Sequence, residues 1–317
     1  MDSALRSPQD RHFSDRVAAL VEQRRSQVVL GLDPDPAKLW PEAVARAGVS
    51  EAAPGERAQL TADAVARHCA LAIAAAGASC VAVKPQLACF ERLGAPGWSA
   101  LAATIEAARE AGLLVIADGK RGDVPQTARA YAQALVGHTD GPFGPVAGLG
   151  ADAFTANPLL GRDALEPLLD AAAAAGAGCF VLVRTSNPGA AEIQDEPADH
   201  PLRARLARLV AELGAQRIGG SGLSDVGAVT GATRPELLAE LREQMPHAVF
   251  LLPGIGAQGG RAADLGPAFA PHPAAGLVSA SRSIVDAHAD RGGDPAAAAA
   301  AAAEELRAAA WAAATAA

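Results

Sequence analysis

Lysine is scarce in this sequence of 317 residues: Lys38, Lys84 and Lys120 are the only three, against 24 arginines. A chain that uses arginine for nearly all of its positive charge is expected to keep lysine where a guanidinium group cannot replace an ammonium group. Proton donation is such a task, because an ammonium group titrates and a guanidinium group effectively does not. The lysines are therefore the first candidates for chemistry.

Other scarcities exclude whole classes of protein. The formal net charge of −8 provides no basic surface for nucleic acid or for an anionic membrane. The four cysteines, Cys69, Cys80, Cys89 and Cys179, lack the CxxC or cysteine–histidine spacing of a metal site. Their apolar neighbours predict small buried side chains instead. Aromatic residues make up only 3% of the chain, so the predicted core consists mainly of Ala, Leu and Val.

Neither end of the sequence predicts a leader or a membrane segment. Residues 1–15 are polar and lack the apolar centre of a signal peptide. The alanine-rich end, 294–317, is interrupted by Glu304, Glu305 and Arg307. It predicts a terminal helix with Asp294 as the N-cap and Pro295 at the first helical position. We expect a cytoplasmic protein.

Short apolar stretches alternate with alanine-rich helical patterns along the chain. The predicted strands are Gln27–Leu32, Ser79–Lys84, Leu113–Asp118, Ala151–Thr155, Cys179–Arg184, Gly227–Val229, Val249–Pro253 and Gly276–Ser279. The helical patterns between them are Arg57–Ala76, Trp98–Ala111, Thr127–Val136, Ala164–Ala174, Pro201–Leu213 and Pro235–Gln244. This alternation predicts a single-domain α/β protein over 1–317, a parallel (β/α)8 TIM barrel. An open doubly wound sheet is the alternative, because periodicity does not show closure.

Most of the unusual polar residues lie at or shortly after the carboxyl end of a predicted strand. They are Asp33, Lys84, Asp118, Lys120, Asn157, Ser186, Gln258 and Arg282. Active sites of (β/α)8 barrels lie at the carboxyl ends of the strands. The barrel prediction therefore places these side chains around one site.

The segment Ala117–Val124 contains the pattern Asp-x-Lys-x-x-Asp, formed by Asp118, Lys120 and Asp123. Lys84 ends the preceding strand, so ammonium and carboxylate groups can alternate in one array. Such an array keeps carboxylates ionised while they are buried, because each has a hydrogen-bonded counter-charge. An ion-pair network that merely ties strand ends together is the alternative interpretation.

A glycine-rich loop, Pro253–Gly260, follows the seventh predicted strand, and Arg282 follows the eighth. Glycines allow a ligand to approach the backbone closely, and successive amide N–H groups can bind an anion. Phosphate sites recur after strands seven and eight of this fold. The two loops together predict a phosphomonoester site.

Two further loops offer neutral or acidic groups. Ser186 lies in Arg184–Gly189, where its hydroxyl can hydrogen-bond a ligand or form an ordinary turn. Asp33, in Gly31–Pro34, is placed to bind sugar hydroxyls, and a simple turn former is the alternative.

The motifs in this order resemble orotidine 5′-phosphate decarboxylase in its longer-chain bacterial form. The resemblance covers nearly the whole chain and rests on these segments: GLDP at Gly31–Pro34, VKPQ at Val83–Gln86, DGKRGD at Asp118–Asp123 with Thr127 and Tyr131, TANPLLG at Thr155–Gly161, RTSNPG at Arg184–Gly189, GAVTGAT at Gly227–Thr233, LLPGIGAQGG at Leu251–Gly260 and SASRSI at Ser279–Ile284. The conjunction is specific, whereas the single motifs are not.

The resemblance implies conversion of orotidine 5′-phosphate to uridine 5′-phosphate and carbon dioxide without a metal or organic cofactor. Lys120 would donate a proton to C6, Asp118 would lie beside the substrate carboxylate, and Lys84 would hold Asp118. Asp123 and Thr127 would reach the neighbouring subunit's site, which makes a homodimer with shared active sites necessary.

The remaining residues would bind the substrate. The resemblance implies a grip on the phosphate by Gln258, Gly259, Gly260 and Arg282. The other predicted contacts are Asp33, Asn157 and Ser186.

Three other functions remain open. A sugar-phosphate decarboxylase of the same superfamily uses a similar motif with Mg²⁺, but it needs a carboxylate where this chain has Lys84. A Schiff-base aldolase needs a neutral lysine, and carboxylates beside Lys84 and Lys120 keep both protonated. A non-catalytic barrel that binds a phosphorylated metabolite needs only the region of Gln258 and Arg282.

Overall fold

The computed structural model describes residues 12–45, 53, 55–256 and 258–316. Residues 1–11 of the polar N-terminal segment lie outside this description. Eight parallel strands form a closed barrel in the order β1-β10-β9-β8-β7-β6-β3-β2, and a separate two-stranded hairpin consists of β4 and β5. The strand bounds are β1 Val28–Leu32, β2 Ala82–Pro85, β3 Leu114–Arg121, β4 His138–Gly141, β5 Gly144–Ala147, β6 Ala153–Ala156, β7 Gly178–Arg184, β8 Ser224–Thr230, β9 Ala248–Pro253 and β10 Gly276–Ala280.

Closure decides between the two predicted architectures. Val28 of β1 pairs with Val278 of β10, and Val29 pairs with Ala82 of β2. The first strand therefore joins the last, which confirms the (β/α)8 barrel and rules out the open sheet. All eight predicted strands are present in the barrel, and the sixth is longer than predicted, since β8 extends from Ser224 to Thr230.

Helices cover the outside of the barrel. Their bounds are α1 Phe13–Arg24, α2 Pro41–Val44, α3 Arg57–Ala76, α4 Leu87–Glu91, α5 Ala95–Glu110, α6 Pro125–Leu135, α7 Arg162–Ala175, α8 Ala190–Ile193, α9 Leu202–Gly214, α10 Leu238–Gln244, α11 Arg282–Val285, α12 Ala287–Arg291 and α13 Pro295–Thr315. Asp294 caps α13, because its Oδ2 accepts a hydrogen bond of 2.8 Å from the Ala297 amide. Within the described ranges, no helix is both long and apolar enough to cross a bilayer.

Helix α1 closes the amino-terminal end of the barrel, a feature that the sequence patterns did not predict. Phe13 packs edge-to-face on Phe180, with ring centroids 5.8 Å apart. The Asp225 carboxylate accepts hydrogen bonds of 2.9 Å from both the amide and the hydroxyl of Ser14. Val17 and Val21 are fully buried against the barrel interior. The opposite end, where the strands finish, is left open for a site.

Candidate active site

A cavity of about 330 Å³ opens at the carboxyl ends of the barrel strands. Many of its lining residues are those predicted from the strand ends: Asp33, Lys84, Asp118, Lys120, Ser186, Gln258 and Arg282. Apolar side chains, including Val229 and Leu251, also line it. These seven predicted residues come from six different strand ends, which the barrel brings together in one concave site.

Asp118 is the centre of the charged cluster and is only 5% exposed. Its Oδ2 lies 2.5 Å from the Nζ of Lys84 and 3.3 Å from the Nε2 of Gln86. Its Oδ1 accepts hydrogen bonds from the Nζ of Lys120 at 2.7 Å and from the Oγ1 of Thr155 at 2.9 Å. Four donors thus surround one carboxylate, so its lone pairs are satisfied and its orientation is fixed.

The electrostatics of this cluster favour charged side chains. Burial alone would raise the pKa of Asp118, but the ammonium groups of Lys84 and Lys120 hold it well below its usual range. Burial would lower the pKa of Lys84, yet Asp118 and Asp33 raise it above the ordinary value. The alternating array that was predicted is therefore present for Lys84, Asp118 and Lys120, with Asp33 as an additional negative neighbour.

The two lysines differ in access. Lys84 is buried, with 7% of its surface exposed, whereas the side chain of Lys120 is 41% exposed. Lys120 also adopts a left-handed backbone conformation, with φ of 48°. Non-glycine residues rarely adopt this region, and functional sites are where such strain collects. Both lysines contact Asp118 and line the cavity, but the side chain of Lys120 is the more exposed of the two.

Two contacts to Asp118 were missed at the level of sequence. Thr155 and Gln86 both line the cavity and both donate to the carboxylate. Each lies at the end of a strand, Thr155 in β6 and Gln86 directly after β2. The same strand-end rule that selected Lys84 would have selected them.

The glycine-rich loop corrects one prediction. The Gly259 amide donates to the Gly256 carbonyl at 2.8 Å, and the Gly260 amide donates to the Gly254 carbonyl at 3.0 Å. Both N–H groups are thus used inside the loop and do not form the predicted anion cradle in this conformation. The side chain of Gln258 does line the cavity.

Arg282 is the cation on this side of the cavity. Its side chain is exposed, and among the described residues its guanidinium group has no hydrogen bond or ion pair. Ser281 and Ser279 line the cavity beside it. An unpaired guanidinium group next to hydroxyls is suited to a phosphate monoester.

An ion pair at the end of β7 fixes the loop that follows this strand. Arg184 is buried, and its Nη2 lies 3.0 Å from the Oδ2 of Asp195. The Gln194 side chain accepts a hydrogen bond of 2.8 Å from the Thr185 amide. These contacts hold Thr185 and Ser186 at the cavity wall, where they offer hydroxyls to a ligand.

Besides Gly259 and Gly260, three predicted site residues do not line the cavity of their own chain: Asn157, Asp123 and Thr127. The Oδ1 of Asn157 accepts a hydrogen bond of 3.0 Å from the Leu159 amide, so this side chain caps a turn. The Oδ1 of Asp123 accepts a hydrogen bond of 2.7 Å from the Val124 amide. Asp123 is half-buried and Thr127 is exposed, and both lie outside the cavity. The fourth member of the predicted array is therefore absent from the cluster within one chain.

The described residues offer no obvious metal site. Among them, no group of three or more His, Cys, Asp or Glu side chains converges in a way that could hold a metal ion. The carboxylate of Asp118 is instead occupied by two ammonium groups.

Fold and site together define a class: a (β/α)8-barrel enzyme with an ionised Lys–Asp–Lys cluster and a free arginine at the catalytic end of the barrel. The sequence model of the orotidine 5′-phosphate decarboxylase / HUMPS family matches residues 26–302. The chain belongs to this family.

Individual relatives agree with the family assignment. The chain is 43% identical over 277 residues to the orotidine 5′-phosphate decarboxylase of Rhodopirellula baltica, covering 87% of this chain and 89% of that protein. It is 41% identical over 284 residues to the enzyme of the same name from Haloarcula marismortui, covering 88% of each. The solved structure of Leishmania donovani OMP decarboxylase superposes with a TM-score of 0.67 at 31% identity, covering 94% of this chain and 98% of that one.

Proposed function

We infer that this chain catalyses the decarboxylation of orotidine 5′-phosphate to uridine 5′-phosphate and carbon dioxide, the last step of UMP synthesis. Family membership and the curated relatives support this activity. The observation that carries it is the buried Asp118 carboxylate, held between the ammonium groups of Lys84 and Lys120 at the mouth of the barrel.

The chemical problem is an electron pair without a conventional acceptor. When the bond between C6 and the carboxylate carbon breaks, carbon dioxide leaves and the electron pair remains on C6. We propose that the ammonium group of Lys120 stabilises this charge as it develops and then transfers a proton from Nζ to C6. The neutral amine regains a proton from solvent, to which its partly exposed side chain has access. This assigns Lys120 the role of general acid.

Asp118 acts on the bound substrate, and Lys84 acts on Asp118. A substrate carboxylate placed beside Asp118 meets a fixed negative charge, and that repulsion disappears once carbon dioxide forms. Lys84 keeps Asp118 ionised and in place through the hydrogen bond of 2.5 Å. The site thereby favours the carbanion-like transition state over the bound substrate, which is the condition for a faster reaction.

The phosphate supplies binding energy at a distance from C6. Arg282 and the side chain of Gln258 are the groups that we propose for it, since both line the cavity and Arg282 is free to bind an anion. Energy from this remote contact can order the surrounding loops around the substrate. Water leaves when they close, and the electrostatic interactions at C6 become stronger.

We further propose that the enzyme is a homodimer with shared sites. Asp123 and Thr127 lie outside the cavity of their own chain. Val124, next to Asp123, has an exposed apolar side chain, as do Leu159 and Leu160. The two segments are neighbours, because the Asn157 amide donates a hydrogen bond to the Arg121 carbonyl. Burial of these side chains against a second copy would carry Asp123 and Thr127 toward the partner's cavity. The partner's Asp123 would then complete the alternating array beside Lys120.

The competing functions fit the site less well. A Mg²⁺-dependent sugar-phosphate decarboxylase needs a carboxylate where Lys84 lies. An aldolase needs a neutral amine, whereas the pKa of Lys84 is raised by Asp118 and Asp33. A simple phosphate-binding barrel has no use for the Lys–Asp–Lys cluster. Burying charged groups costs free energy, and phosphate binding at Arg282 gains nothing from this cluster.

We expect the activity to be independent of divalent metal. Purified protein should consume orotidine 5′-phosphate, followed by the change in its absorbance, at the same rate with and without EDTA. Lys120→Ala in the same buffers provides the background rate. Loss of activity in EDTA that Mg²⁺ restores would favour the sugar-phosphate branch of the family instead.

We also propose that the protein is cytoplasmic. All four cysteines are free thiols, and three of them are fully buried. Unpaired cysteines fit a reducing compartment.

A further inference from the structure

Strands β3 and β6 do not pair residue by residue at the active site. Ala117 pairs with Phe154, and the next pair is Arg121 with Ala156. Asp118, Gly119 and Lys120 of β3 therefore face a single residue of β6, Thr155. Such a bulge leaves backbone groups of the longer strand without ladder partners and turns its side chains to new directions.

The hydroxyl of Thr155 provides a hydrogen-bond partner that the interrupted strand pairing does not. Its Oγ1 accepts a hydrogen bond of 2.8 Å from the backbone amide of Lys120. The same oxygen donates its proton to the Oδ1 of Asp118, 2.9 Å away. Thr155 is 1% exposed, so solvent cannot readily replace either contact. One buried hydroxyl thus holds both ends of the segment Asp118–Lys120.

We propose that Thr155 is a positioning residue that sets the geometry of Asp118 and Lys120 for proton transfer. The proposal rests on the proposed decarboxylation. Its hydrogen bond to the Lys120 amide stabilises a backbone conformation, φ of 48°, that costs energy for any residue other than glycine. Its hydrogen bond to Asp118 fixes the oxygen that also binds the Nζ of Lys120. Thr155 acts through these two residues and not on the reacting atoms.

Thr230 provides a matched control within the same barrel. It ends β8, is fully buried, and its hydroxyl has no hydrogen-bond partner among the described residues. Replacing this threonine by valine removes a buried hydroxyl without removing a contact. Thr230→Val should therefore keep the kcat and the KM of the wild type.

The test compares two pairs of proteins, and within each pair one member has the hydroxyl group at position 155 and the other lacks it. Wild type and Thr155→Val both keep the branched shape, while Thr155→Ser and Thr155→Ala both lack the second branch. In each pair, loss of the hydroxyl should lower kcat by about 10- to 100-fold, the range that a small misplacement of reacting groups produces. The KM should change little, because the phosphate contacts at Arg282 are untouched. Thr155→Ser should retain most of the wild-type kcat.

Equal kcat values for Thr155→Ser and Thr155→Ala would overturn the proposal, whether or not Thr155→Val differs from the wild type. If Thr155→Val fails to fold, the serine and alanine pair still gives the comparison. Crystal structures of Thr155→Ser and Thr155→Ala provide a readout that needs no turnover. We expect the positive φ of Lys120 to persist with serine and to relax with alanine, and its persistence in both would contradict the positioning role. Absence of turnover by the wild type would contradict the proposed decarboxylation, and the two structures would still decide the role of Thr155.

Discussion

Replacement of Lys120 by alanine is expected to nearly eliminate turnover of orotidine 5′-phosphate while leaving the binding of UMP measurable. Lys120 contacts Asp118 and lines the cavity, and its side chain, unlike that of the buried Lys84, is partly exposed. The phosphate contacts that we propose, Gln258 and Arg282, are unchanged in this variant. Steady-state kinetics and calorimetric titration with UMP measure the two effects separately.

Lys120→Arg should be almost as damaging, even though it keeps the positive charge. A guanidinium group does not give up a proton near neutral pH, and general acid catalysis is worth about 10²–10⁴-fold in rate. Lys38→Ala is the matched control, since Lys38 is an exposed lysine in the loop after β1, and it should keep the wild-type kcat. If Lys120→Arg retains more than about a tenth of the activity, the proton-donor role is wrong, because the loss would lie below that range.

Mixing two inactive variants is expected to restore activity. Asp123→Ala and Lys120→Ala homodimers should each be nearly inactive, because every site lacks one essential group. In a mixed dimer, one site collects both changes and the other collects neither, which follows from the twofold symmetry of an isologous interface. After subunit exchange, each heterodimer should contain one intact site, and the activity should rise with the heterodimer fraction measured by native mass spectrometry.

The control for this experiment is a mixture of Asp118→Ala with Lys120→Ala. Asp118 and Lys120 belong to the same chain's cluster, with Oδ1 and Nζ 2.7 Å apart, so each site of that heterodimer still lacks one of them. This mixture should stay inactive. Heterodimers of Asp123→Ala and Lys120→Ala that form but remain at the background rate would show that Asp123 works within its own subunit.

The sequence predicted the charged cluster because parallel strands converge at their carboxyl ends. Lys84 and Asp118 each follow an apolar run, and barrel closure is enough to bring them together. Loop hydrogen bonds were not predictable in the same way. The amides of Gly259 and Gly260 and the side chain of Asn157 find partners within a few residues of themselves. Their choice depends on backbone dihedral angles that residue types alone do not determine.

Two larger elements were missed for different reasons. Helix α1 has its apolar residues at helical spacing, but the sequence does not reveal that Phe13 inserts against Phe180. The hairpin of β4 and β5 is exposed over nearly its whole length, so it lacks the apolar alternation by which strands are recognised. The bulge opposite Thr155 was not predicted, because the register between two strands cannot be read from the sequence of either strand alone.

The plug formed by α1 has a consequence for how dissolved salt acts on this molecule. Beneath the cavity the barrel is filled with apolar side chains such as Val29, Ile116 and Val249, so counterions can approach the charged cluster only through the mouth. Buried pairs are screened far less than exposed charges. Ionic strength should therefore weaken the grip of the exposed Arg282 on an anion while scarcely changing the interaction of Lys84 with Asp118. On the proposed mechanism, substrate capture should therefore be sensitive to salt while the reaction at Asp118 is not.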